Sequence, residues 1–550
     1  MGAILGLFGE RTGSVPVMAE AMRRRGRVLY AADGAACSLG QVGPAWKSWD
    51  GDVEAGGRRF AVAFDGEIFN LPELQRGLER RGHRVGRVAE VLAALYREHG
   101  DTFAAAIDGS FALALSDGAR LVLARDRYGV KPLYYSCADG ELAFGSEIKS
   151  IVRGREAPAA LDAESMRHYY VFGDHMLGDA TLFAGIRQVQ AGYCVVAERN
   201  GRELSTQRHN YVDAAALESA CGLGKGIDAA IDEAGLNARL SAAIERNVRH
   251  FVEQVERPGV LLSGGFDSSV LAALAVRYAG KRVQTYTISD DPDFPDVVEA
   301  RRVAAHLGTR HHEFIVSADA AESGWREGVH AYEDLIYRNT IFLLAKHVAG
   351  KSDLVLSGAG ADFLGVPILH RGPRLRHAHE RWQRLAAAEA GVSSTLAGRM
   401  SALRDDEARA IQEHFAMEYI PNQLFPSTER AMQYFGVEVA FPFACNLVHA
   451  LSWRLPYRYR EAEGVEKPLL RSALAALDLP REILSRPTFC SKGNLVRSKE
   501  NLAQFAAGAD RRELDRALPD AVKPFIRGNF QAMKLALLQQ IFIEARGELR

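Results

Sequence analysis

The chain has 550 residues, 47% of them hydrophobic and 25% charged, an ordinary globular composition that excludes wholesale disorder, a collagen-like repeat and a disulfide-dominated scaffold. At roughly 150 residues per domain it has room for two to four folding units. Its 68 Lys and Arg against 69 Asp and Glu leave a net charge of −1, so no global field draws it toward nucleic acid or an anionic membrane.

The opening run Met1-Gly-Ala-Ile-Leu-Gly-Leu-Phe-Gly-Glu10 is too short to span a bilayer and follows no charged stretch, so a cytoplasmic protein is expected. Gly2 fails the myristoylation pattern because position 6 is Gly. Short β-type runs at 59–64, 111–115, 121–124 and 141–144, with a helical stretch at 88–99, predict a first domain of packed sheets over residues 1–208. Residues 209–236 read as a linker. The second domain, 237–550, alternates from residue 259: strand 260–262, helix 268–278, strand 283–288, helix 296–307 ended by Gly308, and strands 313–316 and 354–356. That order predicts a parallel sheet covered on both faces. Beyond about Arg371 the pattern is helical, and Phe530, Met533, Leu537 and Ile541 share one face of the last helix. The six cysteines are scattered without a Cys-x-x-Cys pair and read as reduced packing thiols.

The strongest chemical signal is Val260-Leu-Leu-Ser-Gly-Gly-Phe-Asp-Ser-Ser269, an apolar strand ending in a small-residue turn that opens a helix. Free backbone N–H groups and the helix dipole there favour a phosphate. Gly264 and Gly265 permit close approach, Ser263, Ser268 and Ser269 offer hydroxyls, and Asp267 is placed for Mg²⁺. Leu354-Val-Leu-Ser-Gly-Ala-Gly-Ala-Asp362 puts a second Gly-rich turn at the same sheet edge, so that Asp362 can face Asp267 across one metal. Gly350-Lys-Ser352 is no Walker loop, because the required earlier glycine is Ala345, and Leu261 rules out a Gly-x-Ser-x-Gly elbow at Ser263.

These two loops resemble the synthetase domain of class B asparagine synthetases and related ATP pyrophosphatases. Asp65-Gly-Glu-Ile-Phe-Asn70, the segment Ala124 to Tyr135, and Phe144-Gly-Ser-Glu-Ile-Lys149 resemble the family's amidotransferase signatures. Glu466-Lys-Pro-Leu-Leu-Arg471 is similar to the segment bearing an active-site lysine. The resemblance implies an α/β fold: an N-terminal Ntn-hydrolase-like αββα sandwich, then a parallel-sheet ATP-pyrophosphatase domain with a helical C-terminal part. It also implies that Leu262, Ile288, Ser357 and Gly358 contact ATP, that Ser263 to Ser269 hold pyrophosphate, that Asp267 and Asp362 bind Mg²⁺, and that Lys467 steadies the α-phosphate.

The departures bear on function. Glutamine-hydrolysing members carry Cys where this chain has Gly2, and glycine has no side chain with which to attack an amide. The family's Asn-Gly reads Asp65-Gly66, and its acidic residue before Glu90 reads Val88. The expectation is a first domain without glutaminase activity, kept as a packing platform, and a nitrogen nucleophile that arrives as an amine. Relatives of that kind are β-lactam-forming synthetases and lasso-peptide cyclases. Ala359 stands where the former place a tyrosine, and alanine can neither take a proton nor position a base. The preferred reading is a lasso-type macrolactam cyclase: an Asp or Glu side chain of a precursor peptide is adenylated and the peptide's N-terminal amine closes the ring. The implied partners are that peptide, a leader peptidase and a leader-binding protein, with no nucleic acid and no membrane. A β-lactam or carbapenam-type synthetase acting on a small amino acid, and a catalytically silent scaffold, are the competing readings. Arg338 could attract a substrate carboxylate or pair with Asp334; Glu380 and Glu389 fall where a catalytic glutamate could lie. The pair His311-His312 points to opposite faces of a strand and makes no metal site. Asp290, Asp291, Asp293 and Asp296 read as a solvated loop with a helix cap.

Overall fold

Alternating apolar residues build the first domain as two facing antiparallel sheets. Its strands are β1 (Ala3–Phe8), β2 (Arg27–Asp33), β3 (Cys37–Gly43), β4 (Asp52–Ala55), β5 (Arg58–Ile68), β6 (Gly109–Ser116), β7 (Arg120–Arg125), β8 (Tyr134–Ala138), β9 (Glu141–Gly145), β10 (Arg187–Gln188), β11 (Tyr193–Asn200) and β12 (Glu203–Asn210). One sheet runs β10-β8-β9-β1-β3-β2 and the other β12-β11-β7-β6-β5-β4. Ile4, Leu39 and Phe144 of the first meet Ala63, Ala112, Leu121 and Val195 of the second in a dry inner layer. The helix Val88–His99 covers the outer face of the second sheet, and Val15–Ala21 and Ile148–Gly154 cover that of the first, which is the expected αββα sandwich. The computed structural model describes residues 2–9, 15–33, 37–44, 49, 51–154, 159–172, 178–201, 203–223, 232–317, 324–335, 339–365, 415–462, 465–485, 510–518, 523 and 529–544.

The second domain is a five-stranded parallel sheet ordered β15-β14-β13-β16-β17, formed by β13 (Pro258–Leu261), β14 (Gln284–Ser289), β15 (Arg310–Ile315), β16 (Leu354–Leu356) and β17 (Glu438–Ala440). Helices Glu233–Glu253, Phe266–Ala279, Pro295–Leu307 and Asn339–Val348 pack on it around a core that includes Val260, Leu271, Tyr286 and Val355. The sheet edge where ligands bind in such folds is the one at which β13 and β16 end.

Two expectations need correction. The region beyond residue 371 is not all helical, because β17 joins the parallel sheet and the short hairpin β18 (Glu461–Ala462) and β19 (Val465–Glu466) follows. The last helix, Asn529–Leu538, buries Ala532, Leu535 and Leu538, while Met533 and Leu537 are only half-buried. The chain then passes into a wider π-helical turn, Gln539–Glu544, that buries Ile541 and Phe542 together, so of the expected stripe Ile541 is buried and Leu537 packs against the core, while Ala532, Leu535 and Leu538 carry the rest of the buried side. The side chain of Phe530 lies outside the described residues.

The two domains share a polar, buried seam. Arg25 donates Nε to Glu147 at 2.6 Å and its fork to both oxygens of Glu429 at 2.7 and 3.1 Å. Glu333 accepts the N–H groups of Ile148 and Lys149. Tyr128 donates to Asn446 Oδ1 at 2.7 Å, and Arg125 donates to the Pro421 carbonyl at 3.1 Å. The five described cysteines are free, with Cys37, Cys194 and Cys445 buried. No helix among the described residues is long and apolar enough to cross a membrane.

Candidate functional site

The turn after β13 is set by sterics at one glycine. After β13, Leu262 donates its N–H to Tyr286 O at 2.9 Å, and the chain turns through Ser263 and Gly264 into the helix Phe266–Ala279 with Gly265 as its N-cap. Gly264 has φ +70, and a Cβ there would lie 2.7 Å from Ala300 N and Asp296 O, so only glycine fits. Ser263 Oγ lies 3.1 Å from Ser268 Oγ, and Ser268 and Ser269 both donate to Gly265 O, at 3.2 and 2.8 Å. The serines thus brace the turn whose first N–H groups lack helical acceptors.

The second loop leans on the first. Ser357 N donates to Ala440 O at 2.9 Å, and Ser357 Oγ accepts the Ala359 N–H at 3.3 Å. A Cβ on Gly358 would sit 3.2 Å from Asp267 Cβ and from Ser268 N, which brings the two turns into direct contact. A short 3₁₀ turn, Ala361–Leu364, then presents Asp362. Lys467 arrives from a third direction at the end of β19, and its Nζ donates to Asp267 Oδ2 at 2.6 Å and to Asp362 Oδ1 at 2.7 Å. The lysine is fully buried, whereas both carboxylates keep a partly open face. Lys467 has φ +58, an uncommon value for a residue with a side chain, and Pro468 starts the following helix.

Burial disfavours the Lys467 ammonium, but the two carboxylates beside it outweigh that and hold its pKa above the ordinary lysine value. Burial raises the Asp267 carboxyl, with the Lys467 charge pulling the other way. Two carboxylates thus face a single ammonium. Asp267 Oδ1 is buried and has no hydrogen-bond partner among the described residues. That orphaned oxygen, a second acid across the cleft and the phosphate loop beside them fit a Mg²⁺ ion that takes one or two carboxylates and completes its shell with phosphate and water. No group of three or more His, Cys, Asp or Glu side chains among the described residues forms a metal cage by itself.

Leu262 and Ile288 are buried at the strand ends, and Ala359 is half-buried beside Gly358. Arg338, Glu380 and Glu389 lie outside the described residues. His311 Nδ1 meets Thr285 Oγ1 while His312 stacks on Tyr286, so the two imidazoles do face opposite sides. The acidic run does not cap the helix: Phe294 is the N-cap, Pro295 opens it, and Asp290 and Asp296 are buried. Two cations were not singled out from the sequence. Arg471 lies inside the lysine motif and holds its guanidinium 4.4 Å over the Phe266 ring. Arg460 belongs to no motif and makes its hydrogen bonds to backbone carbonyls.

In the first domain the space beside Gly2 is filled. A Cβ at Gly2 would lie 2.9 Å from Asp65 Cγ and closer still to Asp65 Oδ1. Asp65 is buried with Lys131 Nζ 3.4 Å away, and Arg25 donates to the Gly2 carbonyl at 3.0 Å.

Residues 236–493 match the family model described as asparagine synthase, and residues 53–212 match the glutamine amidotransferase domain. Among curated proteins the chain is 28% identical over 460 residues to a glutamine-hydrolyzing asparagine synthetase of Gallus gallus, covering 78% of this chain and 70% of that protein. A counterpart from Bacillus subtilis is 27% identical over 78% of this chain and 75% of its own length. For asparagine synthetase B of Escherichia coli the figures are 27%, 69% and 67%. The family uses ATP with Mg²⁺, which suits the paired acids beside the phosphate loop. With residues 236–493 matching the asparagine synthase model and residues 53–212 the glutamine amidotransferase model, the chain is an ATP-dependent, AMP-forming carbon–nitrogen ligase.

Proposed function

We propose that this ligase closes a macrolactam within a precursor peptide and releases no ammonia from glutamine. The observation that carries this reading is the packing at Gly2, where the Asp65 carboxylate fills the volume a nucleophilic side chain would need while the Lys467–Asp267–Asp362 cluster in the other domain is complete. With no nucleophile in the first domain, the nitrogen must come as an amine. A peptide α-amino group, with a reference pKa of roughly 8, is appreciably unprotonated near neutral pH and needs no strong base beside Ala359.

In this reading a carboxylate oxygen of an Asp or Glu side chain attacks the α-phosphorus of ATP as the α–β phosphoanhydride bond breaks. The Ser263 to Ser269 loop receives the departing pyrophosphate, with Leu262, Ile288, Ser357 and Gly358 lining the nucleotide's place. Asp267 and Asp362 would hold Mg²⁺, which would supply positive charge beside the departing pyrophosphate. Lys467 faces the charge that develops on the α-phosphate, first as the acyl-adenylate forms and again as it collapses. The peptide's amine attacks the acyl carbon, AMP leaves, and the amine's proton passes to solvent. A leader peptidase and a leader-binding protein would act with the chain in the cytoplasm.

Incubation with ATP, Mg²⁺ and the core peptide should yield AMP and a product lighter by one water. ADP in place of AMP would end the adenylation reading, and a linear peptide with free AMP would end the cyclase reading. Substitution of Gly2→Cys should leave glutamine untouched, because the added side chain meets Asp65; ammonia release by the unmodified chain would refute the inactive first domain.

A further inference from the structure

A buried guanidinium braces the turn that presents Asp362. Arg460 is 7% exposed, and its described hydrogen bonds all run to main-chain carbonyls: Nε to Leu455 at 3.0 Å, Nη2 to Ser452 at 2.6 Å, and Nη1 to Phe363 at 3.1 Å and Gly365 at 3.4 Å. Ser452 and Leu455 close the C-terminal end of the helix Asn446–Arg454, where carbonyls lack helical donors and carry the negative pole of the dipole. Phe363 and Gly365 belong to the turn that presents Asp362. The carbonyl of Arg460 itself accepts the Lys467 N–H at 2.7 Å. A single residue therefore ties a rigid helix end to the Asp362 turn and to the backbone that carries Lys467. No carboxylate among the described residues lies within ion-pair distance of it, and burial pushes its guanidinium down to about 10. Arginine offers five donors in a fixed planar fork, which lets one side chain span carbonyls from separate segments; an ammonium cannot match that geometry.

We propose that Arg460 is a positioning residue: it fixes the Asp362 turn against Lys467 and so prepares Asp362 to hold Mg²⁺ with ATP. The role rests on the adenylating reading above. It acts through other residues, so its loss should appear as a selective loss of metal-dependent affinity, of the size produced when the supports of metal ligands are removed.

The test is calorimetric titration of the full chain and its Arg460→Ala and Arg460→Lys variants with ATP, once in EDTA and once with Mg²⁺. In Arg460→Ala the gain in ATP affinity on adding Mg²⁺ should shrink by about 10- to 100-fold. Affinity in EDTA, which depends on the Ser263 to Ser269 loop, should stay unchanged. Arg460→Lys keeps the charge but not the fork and should recover only part of the gain; if Arg460→Ala does not fold, Arg460→Lys carries the test and must show a smaller loss that is still confined to the Mg²⁺ condition. Equal weakening with and without Mg²⁺, or no weakening, overturns the proposal. An unmodified chain that binds no ATP in either condition overturns the adenylating reading itself.

Discussion

Lys467 owes its reach to its backbone. At φ +58 the residue turns its side chain back across Gly365, where an added Cβ would stand 2.9 Å from Lys467 Cε and 3.1 Å from its Cγ. Gly365→Ala should therefore shift the ammonium off the two carboxylates and slow AMP formation by roughly tenfold, with the circular-dichroism spectrum unchanged. Lys467→Met leaves two facing carboxylates without their cation, so it should lower AMP formation by about 100-fold or more and reduce thermal stability in EDTA by about 3–5 kcal/mol. Added Mg²⁺ should restore part of that stability, and a melting temperature indifferent to Mg²⁺ would contradict the assignment of the acids. Asp267 and Asp362 could be found in the sequence because each follows an apolar strand and a small-residue turn, whereas Lys467, flanked by Glu466, came only with the family resemblance of its segment. Arg460 could not, because its partners are carbonyls, which every residue supplies and no pattern marks.

At the level of the element, the phosphate turn is limited by the helix Pro295–Leu307 packed behind it. Gly264→Ala would press a methyl group against the Ala300 N–H and the Asp296 carbonyl at a left-handed φ, a strain of about 1–3 kcal/mol. The expected result is a folded protein that no longer binds ATP in calorimetry; unchanged binding would show that the turn is not the phosphate site. Strands β13, β14 and β16 and their helices announce themselves by apolar runs that end in turn residues. β17 does not, because it is three residues long and its place in the sheet comes from pairing with β16, more than eighty residues earlier in the chain. The buried side of the last helix departs from the regular period for a related reason. Its buried side is chosen by the first domain, where Phe542 packs on Phe183 with ring centroids 5.2 Å apart. Periodicity within a segment cannot encode a partner that lies outside it.

Across the whole molecule, the seam behaves as one buried ionic lattice. Burial opposes ionisation of Glu147, but Lys149 and Arg25 outweigh it and bring the carboxyl down to about 2 from an ordinary 4.5. A carboxyl depressed in the folded state stabilises it above the unfolded pKa, and that contribution is lost as pH falls from about 4.5 toward 2. Glu333, raised by burial, works in the opposite sense, so the informative comparison is with Glu147→Gln. The variant should be less stable near neutrality and show a flatter acid limb in denaturant titrations; parallel limbs would deny Glu147 this role. Arg25→Met should cost about 3–5 kcal/mol by leaving the buried Glu429 without its hydrogen-bonded partner, and should lower the melting temperature of both domains together.

The trio at the cleft is gathered from distant parts of the chain: Asp267 lies 200 residues before Lys467, and Asp362 lies 105 before it. A ribosome adding about 5–20 residues per second emits the phosphate turn some 10–40 s before the lysine that completes it. During that interval the nascent chain has the cradle without its bridging ammonium. A prematurely terminated copy thus lacks the ammonium that joins the two acids, and only translation carried past the closing hairpin brings all three groups together.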